Sequence, residues 1–384
     1  MSTNTRSLIN HFGNIRDPRV NRRRAHKLID IIVISICAVV AGADSFEEIE
    51  IIGNAHRSWL GTFLELPNGI PSHDTFARVW ARINPNEFRA SFATWVREIA
   101  EAISDRVGQE VISLDGQTMR GARRRGEKKS AIHMVSAWAA GLRIVLAQTV
   151  VPEKTNEISV IPDILRLLDI NGCIVTMDAM GCQQTHTQQI IDQKGDYVIG
   201  LKGNQSSTLA AVEAHFAKPD VKNLESYKDT DKGHGRLETR SYFAVDVNDV
   251  CDLKDWPGLQ SVIKVVSTRD INDVVSTETR YYISSLPSKS VKQSGDTIRK
   301  HWGIENSLHY VLDVVFKQDK SRIRKDNAPE NFGVLRQIAL NILRGAPFAK
   351  NSSPSNNLKR KRAAADTEYL AQVMCSAGLE KSTI

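Results

Sequence analysis

The runs EVISLD at residues 110–115 and CIVTMD at residues 173–178 decide how this chain is read. Each is a short apolar stretch with the habit of a buried strand, and each closes on an aspartate. A carboxylate at the end of a buried strand is costly to desolvate unless it is paired or holds a cation. Gly116 and Ala179 follow the two aspartates and keep the backbone open to a substrate. Taken singly, either aspartate is an ordinary turn residue. As a pair on suitably ordered strands, they suit divalent-ion chemistry.

Working outward, AIHMVSAWAA and LRIVLAQTVV are further β-rich runs, ISVIPDILRLLD and QTHTQQIIDQ read as helices, and DYVIGL reads as a strand. Three strands, then helix, strand, helix, strand is the order of a mixed α/β sheet flanked by helices, and it occupies residues 106–205. Residues 206–290 open with the helix STLAAVEAHF. They continue as RLETRSYFAVDV, LQSVIKVVSTR and ETRYYISSL, a β-rich insertion. Residues 291–346 are helical, and 347–384 read as a polar, basic tail with KRKR at 359–362. Residues 1–105 read as an all-helical N-terminal domain. Its apolar run from Ile31 to Ala43 falls short of the roughly 20 residues a membrane span needs, so a buried helix is expected there.

The whole chain of 384 residues is 41% hydrophobic and 25% charged, which excludes a disordered tail, and its net charge of +7 favours a polyanionic partner. The five cysteines include no CxxC pair, which argues for reduced thiols and against a disulfide frame or a zinc cluster. The N-terminus has no signal-peptide core, so a cytoplasmic protein is expected.

A third carboxylate, Glu305, lies in IRKHWGIENSLHYVLDVVF. The apolar stripe of that helix is Ile304, Leu308, Val311, Leu312 and Val315, so Glu305 is expected half-buried on its shoulder, aimed along the sheet. His301 and His309 stand one turn to either side. The line His-Glu-His admits zinc, but HExxH is absent; contact with phosphate, or orientation of the glutamate, fits better. MRGARRRGEKK, directly after Asp115, carries Arg120, Arg123, Arg124, Arg125, Lys128 and Lys129. Such a loop would grip backbone phosphates, or stand as a solvated hairpin. RDPRVNRRRAHK and the KRKR run are further basic patches. Lys154 to Glu157, Lys202 to Gln205 and His234 to Arg236 sit at strand or loop ends where side chains converge, and Lys202, Arg236 and Arg299 join the candidate DNA contacts. Cys182 lacks the partners of a thiol nucleophile.

The motifs SLDGQTMRG, EKTNEISVIPDIL, TMDAMGCQ, DYVIGLKGNQ, HGRLETR, YYISSL and RKHWGIENSLHYVLDVVF, with a trailing SRIR, occur in an order that resembles the H-repeat-associated, Rhs-linked insertion-sequence transposases. IRDPRVNRRRAHKLIDII and LPNGIPSHDTFARVW resemble that family's helical domain, so the likeness spans nearly the whole chain. The resemblance implies an RNase H-like catalytic domain and a DNA-end-binding helical domain. It also implies the triad Asp115, Asp178 and Glu305 holding Mg²⁺, with Mn²⁺ as a substitute. Double-stranded DNA, as inverted repeats and target, and a homodimeric synaptic complex are its implied partners. Three departures stand out: Gln117 takes the usual Lys place, Lys317-Gln318-Asp319 replaces an acidic pair, and Tyr310 replaces a tryptophan. Ile298, His301 and Leu312 occupy the spacings of the wider Tyr, Arg and Lys signature. Two rival readings remain open, a relic that only binds DNA and a metal-dependent nuclease of the same fold. Replacing Arg123, Arg124 and Arg125 together by Ala is expected to lower the slope of log K against log salt by about 2 to 3 if all three touch phosphates; DNA-binding titrations over a salt series measure it.

Overall fold

The computed structural model describes residues 8–20, 24–104, 109–123, 131–152, 155–219, 221, 223–233, 236–251, 253, 255–271, 274–346 and 354–376. The chain opens with six helices: α1 (Leu8–Phe12), α2 (Leu28–Val40), α3 (Phe46–Ala55), α4 (Arg57–Leu60), α5 (His73–Trp80) and α6 (Pro85–Ser104). Helix α2 is apolar on every side, and all its residues except Ile29 are buried. Such a helix is stable only when other elements surround it. Its one hydroxyl is satisfied: Ser35 Oγ donates to Ile31 O at 2.7 Å and accepts from Trp80 Nε1 at 2.9 Å. Among the described residues no helix is long and apolar enough to cross a membrane.

Among the described residues nine strands form one mixed sheet: β1 (Val111–Arg123), β2 (Ala131–Ala139), β3 (Ile144–Val150), β4 (Ile174–Met177), β5 (Asp196–Leu201), β6 (Glu225–Gly233), β7 (Arg236–Asp246), β8 (Ser261–Ile271) and β9 (Val274–Ser284). Their order is β3-β2-β1-β4-β5-β9-β8-β7-β6. β1, β4 and β5 are mutually parallel, and every other pairing is antiparallel. Helix α7 (Ile161–Leu167) leads into β4, α8 (Gln184–Asp192) joins β4 to β5, and α9 (Ser206–Phe216) follows β5. The strands expected as an insertion therefore continue the central sheet through the β5–β9 pairing.

The parallel centre is covered on both faces, which is why β4 (IVTM) is buried at every position. Ile112, Leu114, Val175 and Met177 pack with residues of α7 and α8. Val111, Ile174 and Val198 point the other way, toward Val291 and Ile298 of α10 (Val291–Ile304). Side chains alternate along a strand, so Asp115 shares a face with Val111, and Asp178 with Ile174.

Helix α10 passes into two π-helical turns, Glu305–His309 and Val311–Val315, where the sequence suggested a continuous α-helix. The chain then forms α11 (Ala328–Gly345), α12 (Asn356–Ala365) and α13 (Thr367–Ser376). Helix α11 is buried from Ala328 to Leu343 and joins the two halves of the molecule. Asn331 Nδ2 donates to Trp80 O and Ile83 O. Asn341 both accepts from Val145 N and donates to Val145 O, at 2.9 Å each. Helices α1 to α6 thus share one apolar core with α11, α13 and β3.

Two expectations need correction. Asp115 was expected to close its strand, yet β1 continues to Arg123 in a long pairing with β2. Asp115 stands at an end only relative to β4, whose last partner is Leu114. The KRKR run was expected in a solvated tail, but Lys359 and Arg360 are buried on α12. Lys359 Nζ donates to Leu343 O at 2.6 Å. Arg360 donates to the carbonyls of Val39, Ala43 and Val315 and to Asp44 Oδ1, and stacks on Phe316. Those carbonyls lie in the last turn of α2, just beyond it and at the end of the second π turn. Arg360→Ala is expected to cost about 2 to 4 kcal/mol by leaving buried acceptors without this donor and Asp44 with Lys317 alone, whereas the exposed Lys361→Ala costs at most about 0.5 kcal/mol; urea unfolding of both variants checks the contrast.

Candidate active site

Asp115 and Asp178 extend from positions directly beyond the Leu114–Met177 pair, on neighbouring parallel strands and on the α10 face of the sheet. Adjacent strands lie about 4.8 Å apart, so the register alone makes the two carboxylates neighbours. Beneath them Ser113 and Thr176 are buried. Asp115 Oδ1 accepts from Gly116 N at 2.9 Å, and its Oδ2 lies 3.5 Å from His309 Nδ1. Asp178 caps a short turn at Ala179–Gly181, its Oδ1 accepting from Met180 N at 3.0 Å and Gly181 N at 3.3 Å.

Both aspartates, Glu305, Lys202 and His301 line one cleft of about 590 Å³, together with Arg280 and Trp302. Glu305 reaches it from the first π turn. It is exposed, where α-helical spacing had it half-buried. A π turn adds a residue per turn and rotates the side chains that follow, and such turns recur at functional sites. Burial pushes both His301 and His309 down to about 4, so both rings are neutral near pH 7. A neutral ring is suited to orienting a carboxylate rather than to neutralising a phosphate. His309 Nε2 is buried and has no partner.

The electrostatics are those of crowded anions. Burial raises the Asp115 carboxyl to about 7, the Gly116 amide opposes this, and Glu157, Asp178 and Glu305 add to it. Burial also raises Asp178, aided by Glu157 and opposed by the amides of Gly181 and Met180 and by Lys202. Glu157 is the residue that sequence reasoning undervalued. It appeared there only within a low-specificity polar cluster, and Gly116 was credited with admitting substrate. In the structure a Cβ on residue 116 would overlap the Glu157 carboxylate. The glycine makes room for the glutamate.

The basic candidates divide. Lys202 is exposed in the cleft, and Arg120 is exposed with its guanidinium 3.9 Å from Asp319. Arg299 is bound to Asp229 and lies 3.3 Å from Asp231, and Arg236 is 3.4 Å from Glu238, so these two already have anionic partners. The Arg123 side chain and residues Arg124, Arg125, Lys128 and Lys129 lie outside the described residues. Arg280, which the motifs did not single out, stacks on Trp302 at 4.0 Å at the cleft rim. Burial pushes the Cys182 thiol up to about 12, which leaves it a packing residue.

Residues 106–342 match the family model described as "Transposase DDE domain", and residues 9–96 match the one described as "DDE_Tnp_1-associated". The "H repeat-associated putative transposase YhhI" of Escherichia coli strain K12 is 38% identical over 382 residues, covering 97% of this chain and 99% of that protein. The "Putative transposase YncI" of Escherichia coli O157:H7 is 39% identical over 377 residues, covering 96% and 95%. The chain belongs to the DDE transposase family, within the group of H repeat-associated homologues.

Asp115 gives a test of the site's electrostatics. The folded carboxyl keeps its proton to about pH 7, while an unfolded aspartate loses its own near pH 4. Stability is therefore lost as pH rises between these values, and the whole penalty stands above the higher one. Asp115→Asn is expected to stabilise the metal-free protein by on the order of 2 kcal/mol near pH 8 and to change little near pH 4. Thermal unfolding in chelator at the two pH values measures it.

Proposed function

We propose that the protein is an active transposase. It binds the inverted repeats of a mobile element as double-stranded DNA, cuts them in a reaction dependent on divalent metal, and joins them to target DNA. Asp115, Asp178 and Glu305 are its catalytic carboxylates and would hold Mg²⁺, or Mn²⁺ in its place. The observation that carries the reading is their convergence: two aspartates on one face at neighbouring strand positions, and a glutamate from a π turn in the same cleft. The strand order β3-β2-β1-β4-β5, with three antiparallel strands leading into a parallel set, supports an RNase H-like catalytic half. Helices α1 to α6 are then the end-binding part. We read the working form as a homodimer on paired DNA ends in the bacterial cytoplasm.

The residues present fit such an ion. Among the described residues no three Asp, Glu, His or Cys side chains sit close enough to cage a metal by themselves. Catalytic Mg²⁺ normally takes one or two carboxylates and completes its shell with water and substrate phosphate. Burial, aided by the charge of Glu157, raises Asp115 and Asp178, and a bound cation would offset that cost. When bound, the metal supplies Lewis-acid charge for an in-line displacement at phosphorus.

The remaining work falls to the chain. Asp115 and Asp178 would hold the ions, and Glu305 closes the site from the helical side. Lys202, exposed in the cleft, would grip non-bridging or flanking phosphate oxygens, whereas Arg280 at the rim is already held by Glu278 at 2.8 and 2.9 Å. His309, neutral and 3.5 Å from Asp115, keeps that carboxylate oriented. Water attacks the phosphodiester in the cutting step and the freed 3′-hydroxyl attacks in the joining step, with no covalent enzyme intermediate.

The test is cleavage and joining of DNA that carries the flanking inverted repeats, in Mg²⁺ or Mn²⁺. Asp115→Ala, Asp178→Ala and Glu305→Ala are each expected to lower the rate by at least about 10³-fold while leaving DNA binding intact. Tight, specific binding without turnover by the unaltered protein would replace this reading with that of a DNA-binding relic. Cleavage without joining would replace it with that of a nuclease.

A further inference from the structure

Glu157 begins the short turn Glu157–Ser159 ahead of α7. That turn is fastened to the turn capped by Asp178. The buried ring of His186 lies between them, with Nδ1 3.0 Å from Gly181 O and Nε2 3.1 Å from Ile158 O. Burial lowers its pKa and leaves the ring neutral with one N–H, so it donates to one of these carbonyls and packs against the other.

The glutamate approaches from the opposite face to the other carboxylates. Gly116 alternates with Asp115 and so faces α7, and its missing Cβ leaves the space that the Glu157 carboxylate fills. From there it acts on both aspartates at once. Among the anions pressing on Asp115, Glu157 stands ahead of Asp178 and Glu305. It presses on Asp178 as well. A second residue holds it in place: His133 Nε2 lies 2.6 Å from Glu157 Oε1, and His133 Nδ1 lies 2.9 Å from Thr118 Oγ1. A carboxylate oriented by an imidazole, itself oriented by a hydroxyl, is the usual supporting arrangement around metal ligands.

We propose that Glu157 is a fourth metal-binding carboxylate of this site, brought to the aspartates by the His186-linked turns and oriented by His133. The assignment rests on the metal-dependent reading of Asp115, Asp178 and Glu305 proposed above.

The assignment is tested on the full-length, metal-free protein by titration with Mn²⁺, reading free ion by electron paramagnetic resonance. Thermal unfolding of each variant establishes that it is folded. Glu157→Gln is expected to weaken Mn²⁺ binding by about tenfold or more, with Asp115→Asn weakening it at least as far. Gly116→Ala leaves every carboxylate in the chain but drives a methyl group into the space of Glu157, and is expected to weaken binding likewise. Unchanged Mn²⁺ affinity in folded Glu157→Gln, beside lost affinity in Asp115→Asn, overturns the role of Glu157 and leaves the three-carboxylate site standing. Unchanged affinity in Asp115→Asn overturns both.

Discussion

Burial of two carboxylates held side by side by neighbouring parallel strands is the constraint on which the rest of the site depends. The β1–β4 register sets Asp115 beside Asp178, and burial then denies both the solvent that would screen them. Nothing in the sheet itself answers that cost. What answers it in part is local: backbone amides at Gly116, Met180 and Gly181, and Lys202 nearby. Carboxylates perturbed in this way cluster at functional sites.

Holding such a site demands a stiff surround, and the core supplies it from outside the catalytic segment. Helix α11 runs between α2 and the sheet, and its asparagines bond to backbone groups on both sides. Helix α12 adds Arg360, whose guanidinium ties the end of α2 to the second π turn. The elements that carry Glu305 are thus braced by the last part of the chain. A helical N-terminal half and a basic tail, which read as separate parts in sequence, form one core with the segment between them.

The cleft joins two kinds of surface. Its floor is acidic, and its rim carries Lys202, Arg280 and the exposed indole of Trp302. Cations above carboxylates suit a substrate that brings both negative charge and flat rings. Carboxylates already engage the arginines of the extended sheet: Glu278 holds Arg280 through two hydrogen bonds, and Asp229, Asp231 and Glu238 engage those farther along. Net charge on the chain is therefore a poor guide to where a polyanion would lie.

Periodicity and composition were enough to reveal the order of strands and helices between residues 111 and 201 and the buried character of α2. These are local properties: an apolar run with turn residues at its borders is stable as a strand whatever lies beyond it. Other features depended on partners distant in sequence. Glu157 joins the acidic cluster only because Gly116, forty-one residues earlier, has no side chain to exclude it. Glu305 is exposed where α10 gives way to the first of two π turns, and those turns are packed against α11 and α12. Lys359 and Arg360 are buried because the carbonyl ends of α2, α11 and the second π turn lacked donors. The sequence by itself determined which residues were capable of the chemistry. Tertiary structure decided which of them meet, because burial and hydrogen bonding are satisfied between segments that no local pattern connects.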